Sequence, residues 1–231
     1  MKIPRQHLEM LRKIKREKYH PLIHKLHKKH KISKKTLFYI KEYGPHTNIF
    51  KTIIKESIKI LLLASILSSF GGFALESIKN LFIVIMPLII LLPTLNGMIG
   101  SYGSIISSRF STMLYEDKIK KNLWKNKELE NLFFEIFGIS ILTTVIGIIL
   151  SFIISFFFDY KLSLLIIGKI FLVIILDVVI IVNILFFISV FAGLYFYKKK
   201  EDPNNFLIPI TTSIADFGNM IILAILVILF F

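Results

Sequence analysis

The sequence contains no cysteine, and all six of its histidines lie within the first 46 residues. The missing thiols exclude a disulfide framework, thiolate chemistry and a cysteine-ligated metal site. No Ser/His/Asp cluster, phosphate-binding glycine loop or zinc-ligand spacing appears in the sequence. We therefore do not expect an enzyme.

Charge is scarce after the first quarter of the chain. Residues 1–56 carry 16 lysines and arginines against 4 glutamates, whereas the other 175 residues carry 13 basic and 11 acidic groups. Hydrophobic residues make up 55% of the chain. A soluble domain of this size cannot bury so much apolar surface, but a bilayer accepts it. The sequence predicts an all-α integral membrane protein with a basic, histidine-containing helical arm over residues 1–55 and a transmembrane domain over residues 56–231.

Five apolar runs follow the arm. Each is long enough to cross the hydrocarbon core, which takes about 20 residues at about 1.5 Å per residue. The predicted spans are residues 57–75, 81–108, 132–158, 162–197 and 206–231. A short polar break at residues 76–80 is expected to separate the first two.

Basic residues alternate between the loops. The arm, residues 109–131 and residues 198–200 are rich in lysine and arginine, whereas the two intervening loops each offer one lysine, Lys79 and Lys161. The positive-inside rule then predicts a cytoplasmic N-terminus and an outside C-terminus. We expect a multi-pass protein of the cell (plasma) membrane.

The arm supports more than one reading. His20, His24 and His27 share a helical face, which fits a metal-sensing segment. The simpler reading is a basic helix held against anionic lipid headgroups, worth about 1 kcal/mol per basic residue. No nucleic-acid-binding motif accompanies the charge, so no nucleic-acid partner is expected.

Asp216 is an acidic residue within the last predicted span. An ionised carboxylate there is costly unless it meets water, an ion or a partner. Helical spacing places Thr212 and Asn219 on the same face, with Ser213 adjacent. These oxygen ligands are those that hard cations such as Mg²⁺ prefer. The alternative is a carboxyl group that is protonated or hydrogen-bonded to a neighbouring helix.

Asp177 is a second acid within a predicted span, and no polar stripe accompanies it. It is a candidate ion or proton site, or a structural partner for Lys169 two turns earlier. Glu135 near the start of the third span is either an entrance ligand or a charge that compensates the helix dipole. Glu76 is expected to be interfacial.

Small residues recur along the second span. Gly97, Gly100, Gly103 and Ser107 form a ridge that permits close helix packing. Asn96 and Ser101 add oxygen atoms beside it and are candidate ligands. A packing role for the ridge is favoured over pore lining.

Two segments resemble a known family. Residues 93–112 contain a proline, glycine-rich turns and Ser-Arg-Phe-Ser-Thr, and they resemble the second-helix signature of MgtE-type magnesium transporters and of related eukaryotic solute carriers. Residues 202–216 hold Asp-Pro, a spacer, a proline, threonines, a serine and an acid, which is similar to that family's last-helix signature.

The resemblance implies a function. Asp216 corresponds to the family's pore acid, which binds partly hydrated Mg²⁺, and Thr212 to a pore-lining position. It also implies a two-fold pore, hence a homodimer. The family's glycine-asparagine pair reads Gly100-Ser101 here. We expect neither the large acidic regulatory domain nor the nucleotide-sensing pair of domains of MgtE proteins.

Two classes of function therefore stand. The first is a transporter or channel for divalent cations, most of all Mg²⁺. The second is a non-transporting membrane anchor or assembly protein, whose basic arm binds anionic lipid or an acidic partner.

Overall fold

The computed structural model describes residues 49–116, 118–119, 126–160, 163–198 and 203–231. The arm up to residue 48, including the histidines, lies outside the described residues. The helices are α1 (Ile49–Val84), α2 (Met86–Tyr115), α3 (Lys127–Phe157), α4 (Leu164–Lys198) and α5 (Pro203–Phe230). All five are long and apolar enough to cross a membrane, which confirms the predicted span count. The domain boundary predicted at residue 55 falls within α1.

The expected polar break at residues 76–80 is wrong. Those residues are helical, and α1 continues to Val84. The segment contains neither proline nor glycine, and Glu76 forms an ion pair with Lys79 one turn later. The helix is interrupted instead at Ile85, because Pro87 lacks a backbone N–H and its ring crowds the carbonyl four residues earlier. A proline fits the first turn of the next helix, so α2 begins there.

At the other end of the bundle, the second and third helices extend beyond their apolar runs. α2 continues to Tyr115, and α3 begins at Lys127 behind the cap residue Asn126. The Asn126 side chain accepts a hydrogen bond from the backbone N–H of Glu128 at 3.0 Å. Glu128 and Glu130 in the first turn stabilise α3, because their negative charges lie at the positive end of the helix dipole.

Helix α5 is the centre of the bundle and packs against α1, α2 and α4. Helix α1 packs mainly on α5 and hardly on α2, although one residue separates α1 from α2. The hydroxyl of Tyr160, in the turn after α3, donates to the carbonyl oxygen of Val84 at 2.8 Å. This bond satisfies a carbonyl left open at the end of α1.

Glycines set the closest helix contacts. A Cβ on Gly103 would lie 3.2 Å from Cβ of Thr211, and a Cβ on Gly71 would lie 2.6 Å from Sδ of Met220. Gly103 thus brings α2 onto α5, which confirms the packing role of this part of the predicted ridge. Gly97 and Gly100 have open space at the Cβ position among the described residues.

Candidate functional site

Asp216 lies in the middle of α5 and is half-buried. Ser68 of α1 donates its hydroxyl to Oδ2 of Asp216 at 3.4 Å. Among the described residues, no lysine, arginine or histidine forms a salt bridge with this carboxylate. The carboxylate is therefore held by one long hydrogen bond and has capacity to accept more.

Two hydroxyl groups of α5 itself lie within one turn of Asp216. Thr212 is half-buried and donates to the carbonyl of Ile208 at 2.9 Å, and the buried Ser213 donates to the carbonyl of Pro209 at 2.7 Å. Pro209 contributes no backbone N–H to the helix. Each hydroxyl uses its single proton within its own helix, so its oxygen lone pairs remain to accept a bond from water or to contact a cation.

Asn219 is buried and faces α2. Its Nδ2 donates to Oδ1 of Asn96, which joins two residues predicted as candidate ligands. Asp216 contacts α1 instead. The expected polar stripe on α5 is thus divided between two neighbouring helices. The second side-chain oxygen of this pair, Oδ1 of Asn219, has no partner among the described residues.

Ser101 lies on the exposed face of α2 and donates to the carbonyl of Gly97 at 2.7 Å. No contact in the structure joins it to Asp216. Of the seven residues predicted as ligands, Asn96 and Asn219 are hydrogen-bonded to each other. Among the described residues, no hydrogen bond joins Ser101 or Asp177 to another of the seven.

Sequence reasoning missed a buried hydroxyl cluster and the serine that contacts Asp216. Ser107 of α2 lies 3.0 Å from the hydroxyl of Thr211 on α5 and 3.3 Å from that of Ser189 on α4. All three residues are fully buried. Isolated serines in apolar runs were the available signal, but serine is common in membrane helices, and only the packing shows which ones meet.

Asp177 is fully buried in α4, and neither carboxyl oxygen has a hydrogen-bond partner among the described residues. Of the two alternatives for Asp177, the pairing with Lys169 is not found: the Lys169 ammonium lies over the ring of Phe231, 5.2 Å from its centroid. Eight residues along a helix also separate the two backbones by about 12 Å, which is too far for direct contact without both side chains extending.

Glu135, the candidate entrance ligand, is paired at the surface, as Glu76 is. Glu135 forms an ion pair with Arg109, which links α3 to α2 where the helices leave their apolar runs. Both side chains are about half exposed. In the part of the chain that the structure describes, no three histidine, cysteine or acidic residues cluster as a metal cage.

The five long apolar helices define a multi-pass α-helical membrane protein, with one fully buried acid, Asp177, and one half-buried acid, Asp216, within its spans. A family model described as MgtE, divalent cation transporter, matches residues 92–226. That match covers more than half of the chain, and the protein belongs to this family of divalent cation transporters. No curated protein and no solved structure gave a significant match.

Proposed function

We propose that this protein carries divalent cations, with Mg²⁺ as the main substrate, across the plasma membrane along a path that passes Asp216. The observation that carries the proposal is a half-buried carboxylate in mid-span with no cationic partner among the described residues. Such a group costs several kcal/mol in a membrane unless an ion or water compensates it. A passing cation supplies that compensation.

The ligand set favours a hard cation that keeps part of its water shell. Mg²⁺ dehydrates reluctantly and is usually bound through one or two carboxylates together with several waters. Asp216 would supply the charge, and the oxygens of Thr212 and Ser213 would accept bonds from the waters. The hydrogen bond between Asn96 and Asn219 would hold α2 beside α5. Ser101 would offer its oxygen on the exposed face of α2. With no cysteine in the chain and no histidine after residue 46, soft metals are disfavoured.

Charge balance favours two copies. One Asp216 carboxylate neutralises half of a divalent ion, and two carboxylates related by a two-fold axis neutralise all of it. Asp216 and Thr212 are both half-buried, so the described residues leave this side of α5 partly open. We therefore infer a homodimer in lipid, with Asp216 from each copy facing the same ion path.

Voltage supplies the driving force for entry. A double charge crossing about 100 mV gains about 4.6 kcal/mol, twice the single-charge value of about 2.3 kcal/mol. Asp216 lies in the middle of α5, so an ion that reaches the proposed site has crossed only part of that potential.

Asp177 is the candidate for a coupled ion. It is fully buried, and its oxygens have no partner among the described residues. A single carboxyl group supplies one negative charge, which suits a proton or Na⁺ better than a divalent ion. Coupling of Mg²⁺ flux to one of these gradients would run through this residue.

The test is Mg²⁺ flux into proteoliposomes. Asp216→Asn and Asp216→Ala should reduce flux to background, whereas Glu76→Gln, which removes an exposed carboxylate paired with Lys79, should leave it unchanged. Wild-type flux in both Asp216 variants would reject the proposal. That result would favour the alternative, a non-transporting membrane anchor or assembly protein. Deletion of residues 1–50 should then abolish its activity.

A further inference from the structure

Helix α1 lies outside the part of the chain that the family model matches, since the match begins at residue 92 in α2. Yet α1 packs on α5 along the segment that carries Asp216. We propose that Ser68 of α1 is a positioning residue of the Asp216 cation site, so that the site is incomplete without α1. This inference rests on the proposed function.

The first support is the contact itself. Oγ of Ser68 lies 3.4 Å from Oδ2 of Asp216, and both residues are half-buried. Two other serines of α1 behave differently. Ser69 donates to the carbonyl of Ser65 at 2.8 Å, and Ser77 donates to the carbonyl of Ala74 at 2.6 Å. Their protons are used within α1, whereas Ser68 directs its proton to another helix.

The second support is a packing contact that fixes the register of the two helices. Gly71 and Met220 lie three and four residues after Ser68 and Asp216, and a Cβ on Gly71 would be 2.6 Å from Sδ of Met220. The paired contacts advance in the same direction along both helices, so α1 and α5 run parallel here. Close approach at Gly71 therefore holds Ser68 beside Asp216.

The chemistry of the hydroxyl explains what Ser68 contributes. A serine hydroxyl has one proton to donate and two lone pairs that accept. The proton restrains one carboxylate oxygen of Asp216 and selects its orientation. The lone pairs remain free to accept a bond from a water molecule in the shell of a partly hydrated cation. Loss of the hydroxyl should weaken cation binding more than it weakens the fold.

Four variants test this role: Ser68→Ala, Ser68→Thr, Ser69→Ala as the matched control, and Asp216→Asn. Mg²⁺ flux in proteoliposomes gives KM and maximal rate, and thermal unfolding in detergent with and without MgCl₂ gives a readout of binding that does not depend on flux. We expect Ser68→Ala to raise KM about three- to tenfold and to reduce the stabilisation by MgCl₂, since one hydrogen bond is lost. Ser68→Thr keeps the hydroxyl, so its KM and its stabilisation by MgCl₂ should stay at wild-type values. Ser69→Ala should match wild type.

The outcomes separate the two proposals. If Asp216→Asn is inactive but Ser68→Ala matches Ser69→Ala, the role of Ser68 is wrong and the transport function stands. A lower melting temperature without MgCl₂, together with an unchanged KM, also overturns it, because Ser68 would then serve packing alone. Wild-type flux in Asp216→Asn rejects the proposed function and the role of Ser68 with it.

Discussion

The side-chain amide of Asn219 on α5 donates a hydrogen bond to the amide oxygen of Asn96 on α2, at a position where Asn219 is fully buried. The bond connects the central helix of the bundle to the helix that carries the glycine ridge. A buried amide that loses its partner keeps the full penalty of its removal from water, about 1–3 kcal/mol.

Replacing Asn96 by alanine should therefore destabilise the protein by about 1–3 kcal/mol, because the Asn219 amide is left buried without an acceptor. Thermal unfolding in detergent measures the change. Asn183→Ala is the control, since Asn183 donates to the carbonyl of Val179 in its own helix at 2.7 Å. Equal melting temperatures for the two variants would mean that the bond between helices adds nothing to stability.

Gly193 should not tolerate a side chain. A Cβ there would lie 2.7 Å from the ring of Phe110, which is fully buried, and 3.2 Å from Leu207. We expect Gly193→Ala to cost about 1–3 kcal/mol through overpacking. Gly168→Ala in the same helix has open space among the described residues and should be neutral or slightly stabilising. Chemical denaturation in mixed micelles measures the free energy of unfolding of both variants. Equal values would show that Gly193 is not tightly packed.

Gly71 and Gly72 offer a second matched pair, on α1. A large side chain at Gly71 meets Met220 and the backbone of Phe217, whereas Gly72 has open space among the described residues. Gly71→Leu should separate α1 from α5 and reduce Mg²⁺ flux at least tenfold, and Gly72→Leu should retain it. If both variants transport alike, close packing of α1 on α5 is not needed for function.

Asp177→Asn keeps the volume of the side chain and removes its negative charge, so it cannot take up a proton and can no longer neutralise Na⁺. The folded state should be at least as stable, because an unpaired buried carboxyl group is costly. If Asp177 holds the coupled ion, the variant loses the dependence of Mg²⁺ flux on the Na⁺ or proton gradient. Flux assays with each gradient imposed in turn check this. A gradient dependence that survives the substitution would exclude Asp177 as the coupling site.

Glu135→Gln distinguishes an entrance ligand from a surface ion pair. The Arg109–Glu135 pair is about half exposed, and such pairs contribute about 0–1 kcal/mol. We expect a small change in melting temperature and an unchanged KM for Mg²⁺. A several-fold rise in KM at low ionic strength would assign Glu135 to the ion path.

Much of the architecture could be predicted because membrane helices obey simple constraints. Length and hydropathy predict five spans, since each must satisfy its backbone hydrogen bonds within the bilayer. Polarity at residues 76–80 predicts a loop there, but the covalent constraint that interrupts the helix at Ile85 lies at Pro87. Charge on a helix surface is compatible with helix, whereas a missing N–H in its interior is not.

The site was predictable only in part. Asp216 stands out because a carboxylate is costly in a membrane, and that argument needs no neighbours. Which side chains approach it depends on how the helices pack. Helical spacing places Thr212, Asp216 and Asn219 on one face, but it does not show that Asn219 turns to α2 and Asp216 to α1. Ser68 is 148 positions away from Asp216 in the sequence, and no local pattern relates the two.

The single-residue joint at Ile85 has a consequence for how the protein is made and recognised. With one residue between them, we expect α1 and α2 to enter the bilayer as one unit, a helical hairpin whose two arms hardly pack on each other. The hydroxyl of Tyr160, in the turn after α3, fastens the tip of this hairpin through its hydrogen bond to Val84. An antibody or protease that approaches this end of the hairpin finds a closed turn instead of a flexible segment. Epitope insertions used to map the topology should therefore be placed in other loops.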